Sequence, residues 1–494
     1  MLSLTRQRSA AAGGAVLMLR FGLGAVLNYS LGVVLAWMLT PSQFGAVSVL
    51  QNVLFLCSAL LSAGFPWALT GVIVQAEARL GVDAAYRAAI VGNLGFGVML
   101  ALVVVGAQVT RNVVPGASVA TVAVMAMTIA VTSMSTTLQG ALHGERRFDG
   151  LSFVQTTGIG VKVALTLLLV SLVHLRVGGA ALGFLGGAIV AAAAGAWALR
   201  DRLPRRGPMA WRVTTTRALS MAVATSAISL ILTTDVVALS LVGQRHGVSA
   251  GDVATYQAAA VLARAPYFVA EALSSAVFPF IAKAETAAAV RSWFLAAYRW
   301  VPLALVPLQL ILLVAPGTAL ALFFPAPYEQ GADILRILSI GTLGLLTADM
   351  LLKTLYARDL TTSLARRVPI ALMIEVTALI VAVPRWGAVG AAAAFAVGSW
   401  AAAGLLGHLF VRQYGASWPT RKVAMRYPLA LAPLVVLLAV AGAVPEWPAV
   451  AVIAVGLALY AVTAVRVRLV RHEDVMRVWT VLRRLRPKRR AAQA

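Results

Sequence analysis

The chain is poor in the residues from which soluble enzymes build their surfaces and sites. Charged residues make up 12% of its 494 positions, acidic residues number 17 and histidines 5, and its one cysteine, Cys57, lies inside an apolar run. A lone cysteine excludes a disulfide or a cysteine-cluster metal site within the chain, and the scattered histidines argue against a metalloenzyme. So little charge does not coat an ordinary soluble globule. Also missing are a glycine-rich phosphate loop ending Gly-Lys-Ser/Thr, which argues against an ATP-driven pump, and a His-Glu-x-x-His zinc motif. Asp149-Gly150 and Asp201-Arg202 fall in loops too short to form a nucleotide-sugar site. The loops of the opposite side, where membrane glycosyltransferases and polymerases carry catalytic groups, are almost bare. The expectation is a protein that is not an enzyme.

What the chain does have is apolar length: 61% of residues are hydrophobic, with a mean hydropathy of +0.88. Segments of membrane-spanning length fall near 14–39, 47–74, 87–109, 117–140, 151–174, 178–199, 218–243, 254–281, 300–323, 332–356, 368–384, 388–411, 427–444 and 447–465. The pattern predicts an all-α polytopic membrane protein of about 14 transmembrane helices, or about 12 if the last pair or the short eleventh segment merges or shifts. The apolar stretch after Arg6 and Arg8 runs too long for a signal peptide and reads as a retained first span.

Lys and Arg number 41 against 17 acidic residues, a net charge of +24. Their distribution alternates. One set of loops carries Arg79, then Arg146 and Arg147, then Arg200, Arg202, Arg205, Arg206 and Arg212, then Lys283 and Arg291, then Arg358, Arg366 and Arg367, then Arg412, Arg421, Lys422 and Arg426. The other set holds mainly Arg111, Arg176, Arg245 and Arg385. By the positive-inside rule both termini lie in the cytoplasm, and the charge is a topogenic device that implies no nucleic-acid partner. The tail from Arg466 to Arg490 mixes Val, Leu and Trp with basic residues, as an amphipathic helix on anionic membrane lipids does, or as a merely solvated end does.

An internal repeat is visible. Arg176-Val-Gly178 precedes one small-residue helix and Arg385-Trp-Gly387 another, 209 positions on. Gly64-Phe65-Pro66 and Val277-Phe278-Pro279 stand near an offset of 213, as do Leu142–Glu145 and Leu355–Arg358. The expected organisation is a six-helix lobe with its linker at 1–210, a second six-helix lobe at 211–415, an added helix pair at 416–470 and a basic tail at 471–494. An even helix count makes the lobes parallel, around a central cavity.

Charges inside apolar spans are costly, so the few present are the functional candidates. For substrate binding these are Arg20, Asn28, Asn52, Lys162, Arg264 and Lys353; for proton or sodium coupling they are Asp235, Asp349 and Glu375. Asn93, Gln139, Gln155 and Glu271 are further polar positions within spans. Arg20, Lys162 and Arg264 are read equally well as snorkelling or ion-paired structural residues, and Asp349 and Lys353, four apart, are spaced to satisfy one another. Several separated cations in an elongated cavity suit a diphosphate-linked amphiphile, with phosphoryl oxygens on Arg and sugars on Asn and Gln. No cofactor or metal is expected.

Several motifs together are distinctive: Leu39-Thr-Pro-Ser-Gln-Phe-Gly45, Gly64-Phe-Pro66, Gln139-Gly-x-x-x-Gly144-x-x-Arg147-Phe148, and Tyr256 with Phe278-Pro279. Over about residues 12–415 the chain resembles the Wzx-like polysaccharide flippases, within the superfamily (MOP) that also holds the multidrug and toxin extrusion (MATE) transporters and lipid II flippases. The resemblance implies two lobes around a cationic cavity, matched in kind by Arg20 and Arg264. It also implies translocation of an undecaprenyl-diphosphate-linked oligosaccharide from the cytoplasmic to the periplasmic leaflet, for an exopolysaccharide or O-antigen, with a polymerase and glycosyltransferases as partners. Lipid II flippases carry denser arginines in the first two helices. A drug/cation antiporter needs an acidic cavity in one lobe, whereas the first-half spans hold no Asp or Glu. Both remain alternatives.

Overall fold

The computed structural model describes residues 24, 26–75, 79–202, 207–211, 215, 218, 226, 228–282, 284–358, 360–415, 421–441 and 446–469. Arg20, most of the linker arginines and the tail at 471–494 lie outside the described residues.

Among the described residues every regular element is a helix. In chain order the first half comprises α1 (Val26–Met38), α2 (Pro41–Ala63), α3 (Phe65–Gln75), α4 (Arg79–Arg111), α5 (Val119–Gly144), α6 (Phe148–Ser171) and α7 (Arg176–Ala198). The second half and the appended pair comprise α8 (Thr234–Gly243), α9 (Ala250–Ala282), α10 (Ala287–Val314), α11 (Pro316–Phe323), α12 (Ala332–Tyr356), α13 (Thr361–Tyr414), α14 (Arg421–Ala441) and α15 (Glu446–Arg466).

The breaks follow local chemistry. Pro41 opens α2, where its missing N–H costs nothing, and the Thr40 N–H donates to Gln43 Oε1 at 3.3 Å. Gly64, followed by Phe65-Pro66, interrupts the span shared by α2 and α3. Ser118 caps α5 and Thr286 caps α10, each accepting a backbone N–H of its helix. At Pro316 the chain bends by 95° between α10 and α11, so the apolar segment expected at 300–323 is broken into the C-terminal part of α10, a helix that begins at Ala287, and the short α11. The 54 residues of α13 would exceed any bilayer if straight. They fold back at Gly387, whose φ of +54° is the left-handed conformation that glycine alone adopts freely, and so form the eleventh and twelfth spans.

Eight helices are long and apolar enough to cross a membrane, or nine with the bent pair, among the described residues. This agrees with about 14 segments once three things are counted. The α13 hairpin is two spans; α1, α8 and α14 are described over short lengths; and α9, a 33-residue helix, is one more. The fold is a polytopic helical membrane bundle with two added C-terminal helices. Helix starts recur along the chain: Pro41 to Ala250 is 209 residues, Arg79 to Ala287 is 208, and Val119 to Ala332 and Phe148 to Thr361 are both 213. The added pair packs on α10 through Leu434, Leu438 and Tyr460, whose hydroxyl donates to the Leu303 carbonyl at 2.7 Å.

Candidate substrate cavity

One end of the bundle, the basic face, carries Arg146, Arg147, Arg200 and Arg358; the opposite face carries Arg111, Arg176, Arg245 and Arg385. At the opposite face the two halves touch. A Cβ on Gly45 of α2 would overlap the Ala250 carbonyl at the start of α9, so the backbones meet directly. Around this point Trp37 Nε1 donates to the Phe323 carbonyl at 2.9 Å, Ser240 Oγ to the Val113 carbonyl at 2.7 Å, and Phe44 packs edge-on against Tyr328. Deeper, Asn52 Nδ2 donates to Gln257 Oε1 at 2.9 Å, joining α2 to α9.

From that seal a cavity of about 910 Å³ runs to the basic face, which it reaches at Trp67, Tyr356 and the exposed His143. Its walls come from α1, α2, α3, α5, α9 and α12 and from residues 228–233 ahead of α8, that is, from both halves. Asn28, Asn52, Arg264, Asp349 and Lys353, all singled out from the sequence, line it. Lys162 sits behind that wall, its Nζ donating to Asn28 Oδ1 at 2.8 Å and lying 4.5 Å from the Phe184 ring centroid. Asp235 and Glu375 lie behind the second-half wall, both wholly buried.

The cations differ sharply in what they touch. Arg264 forms an ion pair with Asp235, which also accepts the Tyr256 hydroxyl, and its guanidinium stacks 4.9 Å from the Phe395 ring. Lys353 Nζ lies 2.8 Å from Asp349 Oδ2, the i,i+4 pairing that the spacing offers. Lys162 has no carboxylate within ion-pair distance among the described residues. Among the described residues, the two cations that line the cavity, Arg264 and Lys353, are therefore each paired with a carboxylate. Glu375 is the reverse case: among the described residues neither carboxylate oxygen has a hydrogen bond, although Asp235 and Arg264 lie within electrostatic reach. On the basic face, outside the spans, the hydrogen bond from Arg147 at 3.1 Å holds the Asp201 carboxyl below its usual range.

Residues 10–285, more than half of the chain, match the family described as polysaccharide biosynthesis protein (Polysacc_synt). The chain belongs to that family. Its fold is similar to that of an inward-facing multidrug resistance MATE family transporter of the MOP superfamily, with 17% identity, coverage of 82% of this chain and 99% of that one, and a TM-score of 0.60. It is also similar to the lipid II flippase MurJ in an inward closed conformation, with 13% identity, 91% and 98% coverage and a TM-score of 0.72. A MOP superfamily transporter from Pyrococcus furiosus, described by a reversed polarity of its binding pocket, shares 16% identity over 83% of this chain and 96% of that one, with a TM-score of 0.56. No curated protein matches.

In this member of the polysaccharide biosynthesis family, sequence reasoning missed part of the cavity wall. Gln51, Ser58 and Ser62 of α2 and Gln257 of α9 line it beside Asn52. The signal was available: polar residues at 48, 51, 52, 58 and 62 recur at helical spacing along one face of an otherwise apolar helix. Gln139 and Gln155, by contrast, bond each other at 3.1 Å, and Asn93 bonds the Ser133 carbonyl at 2.8 Å; both are helix-to-helix ties away from the cavity.

Proposed function

We propose that this protein moves an undecaprenyl-diphosphate-linked oligosaccharide from the cytoplasmic to the periplasmic leaflet of a bacterial inner membrane by alternating access. The observation that carries the reading is a cavity walled by both halves and sealed at one face only, where Gly45 meets Ala250. The arginine-rich face is cytoplasmic by the positive-inside rule, so the cavity here receives its load from the cytoplasm, and both termini lie on that side. The diphosphate docks at Asn28, which lines the cavity, and draws Lys162 Nζ forward from Asn28 Oδ1; Lys162 is the described intramembrane cation with no acidic neighbour to surrender. Rocking of one half on the other then breaks the seal and opens the opposite face. Glycosyltransferases that assemble the substrate act before this step, and a polymerase that builds exopolysaccharide or O-antigen acts after it.

Glu375 supplies the coupling. Its buried carboxyl has no hydrogen bond among the described residues, which leaves it open to take up and release a proton during the cycle. Beside it Arg264 already occupies Asp235, which favours a proton over a sodium ion as the coupled species.

The test is reconstitution into liposomes with an inward or outward pH gradient, following transfer of radiolabelled undecaprenyl-diphosphate trisaccharide between leaflets. Wild type is expected to respond to the gradient, Glu375→Gln to move substrate without that response, and Lys162→Met to fold but lose transfer. Undiminished transfer by Lys162→Met overturns the assigned phosphate contact. Transport of a small organic cation in place of any lipid-linked sugar overturns the flippase reading in favour of an antiporter.

A further inference from the structure

Along α2 the positions facing the cavity are Ser48, Gln51, Asn52, Phe55, Ser58 and Ser62. At 1.5 Å per residue this polar stripe is about 21 Å long, the scale of an oligosaccharide rather than of one small ion. Its hydrogen-bonding capacity is largely unspent. Gln51, Ser58 and Ser62 make no hydrogen bond within the described protein, whereas Ser48 and Asn52 tie back to their own helix or to Gln257. Polar side chains that face a cavity inside a membrane bundle without internal partners are available to ligand or water. Aromatic rings border the same space: Tyr29 and Phe268 with centroids 5.0 Å apart, and at the mouth Trp67 and His143, 5.5 Å apart. The C–H face of a pyranose packs on such rings while its hydroxyls reach amides and hydroxyls.

The charge pattern limits which sugars fit. Arg264 and Lys353, the cations lining the cavity among the described residues, are each held by a carboxylate, Asp235 and Asp349. A sugar carboxylate seated on α2 would either remain unpaired in a low-dielectric space or take a cation from a buried acid, and both cost free energy. Lys162 is engaged by the diphosphate that every such substrate carries.

We infer that the α2 stripe is a glycan subsite selective for uncharged sugars, and that the translocated repeat unit lacks uronic or other acidic residues. This rests on the lipid-diphosphate reading above and narrows its substrate class.

The experiment measures binding to the purified full chain in nanodiscs, by quenching of tryptophan fluorescence. Its probes are undecaprenyl diphosphate, the same carrier bearing a neutral trisaccharide, and the carrier whose terminal hexose is replaced by the hexuronate. The neutral glycan is expected to strengthen binding about tenfold over the bare carrier, as two or three added hydrogen bonds would. The hexuronate is expected to forfeit that gain. The double variant Gln51→Leu/Ser58→Ala, whose side chains support no internal bond, should lose the gain for the neutral glycan while binding the bare carrier as before. Lys162→Met should weaken all three probes alike. Equal binding of neutral and acidic glycans, or a gain that survives the double variant, overturns the inference. A bare carrier that fails to bind overturns the lipid-diphosphate reading instead. The stripe is then judged on the water-soluble neutral trisaccharide against its hexuronate: selective binding abolished by the double variant supports it, and none refutes it.

Discussion

Replacing Arg264 by Ala removes a guanidinium and leaves Asp235, wholly buried, with the Tyr256 hydroxyl as its remaining side-chain donor. Breaking one partner of such a pair is expected to cost about 3–5 kcal/mol, because the orphaned charge has no water to turn to. The double replacement Asp235→Leu/Arg264→Met should cost less than either single change, read as thermal unfolding midpoints in detergent. If the double variant is as unstable as the sum of the singles, the pair is not the coupled unit described here. Loss of transport in Arg264→Ala would accordingly mix folding with function, whereas Lys162→Met exchanges a lysine packed among Phe55 and Phe184 for an apolar side chain of similar length. The two cations are indistinguishable in sequence. Each is a basic residue in an apolar helix, and only the neighbour at Asp235, 29 residues away, separates a cancelled charge from an available one.

The decisive contact between elements is the crossing of α2 and α9 at Gly45 and Ala250. Any side chain at 45 has to push the backbones apart, since its Cβ would overlap a carbonyl that cannot rotate away. Gly45→Leu is expected to shift the protein away from the state closed at this face. With Cys57 replaced by Ser, a cysteine placed at Ser48 should then react several-fold faster with a membrane-impermeant maleimide added from the opposite face. An unchanged rate would mean that this crossing does not gate the cavity. Glycine at 45 was plain in the sequence as part of the Leu39–Gly45 motif, but its reason was not, because the atom it makes room for belongs to a residue 205 positions on. The breaks at Gly64-Phe65-Pro66 and at Gly387 are the contrary case. Their conformations are set by the residues themselves, and both were legible as punctuation.

For the whole molecule, alternating access requires that the two halves separate at the opposite face during each cycle. Cysteines at Asn52 and Gln257, in the Cys57→Ser background, are expected to be joined by a short bifunctional thiol reagent, since the native side chains lie within hydrogen-bonding distance. The linked protein should bind undecaprenyl-diphosphate trisaccharide at the basic face but not release it across the bilayer. Transfer at the unlinked rate would show that the halves move without parting there. The approximate helix number, the helical bundle architecture and the basic face were determined by the sequence, because they depend on free energies that each segment meets alone: transfer of some 20 apolar residues into lipid and the bias of Lys and Arg to one side. Which polar groups face a common cavity, which charges cancel and which buried carboxylate stands without a hydrogen bond were decided by the tertiary structure. These are properties of pairs drawn from distant helices, and in a low-dielectric interior the partner, not the residue type, sets what a charge can do.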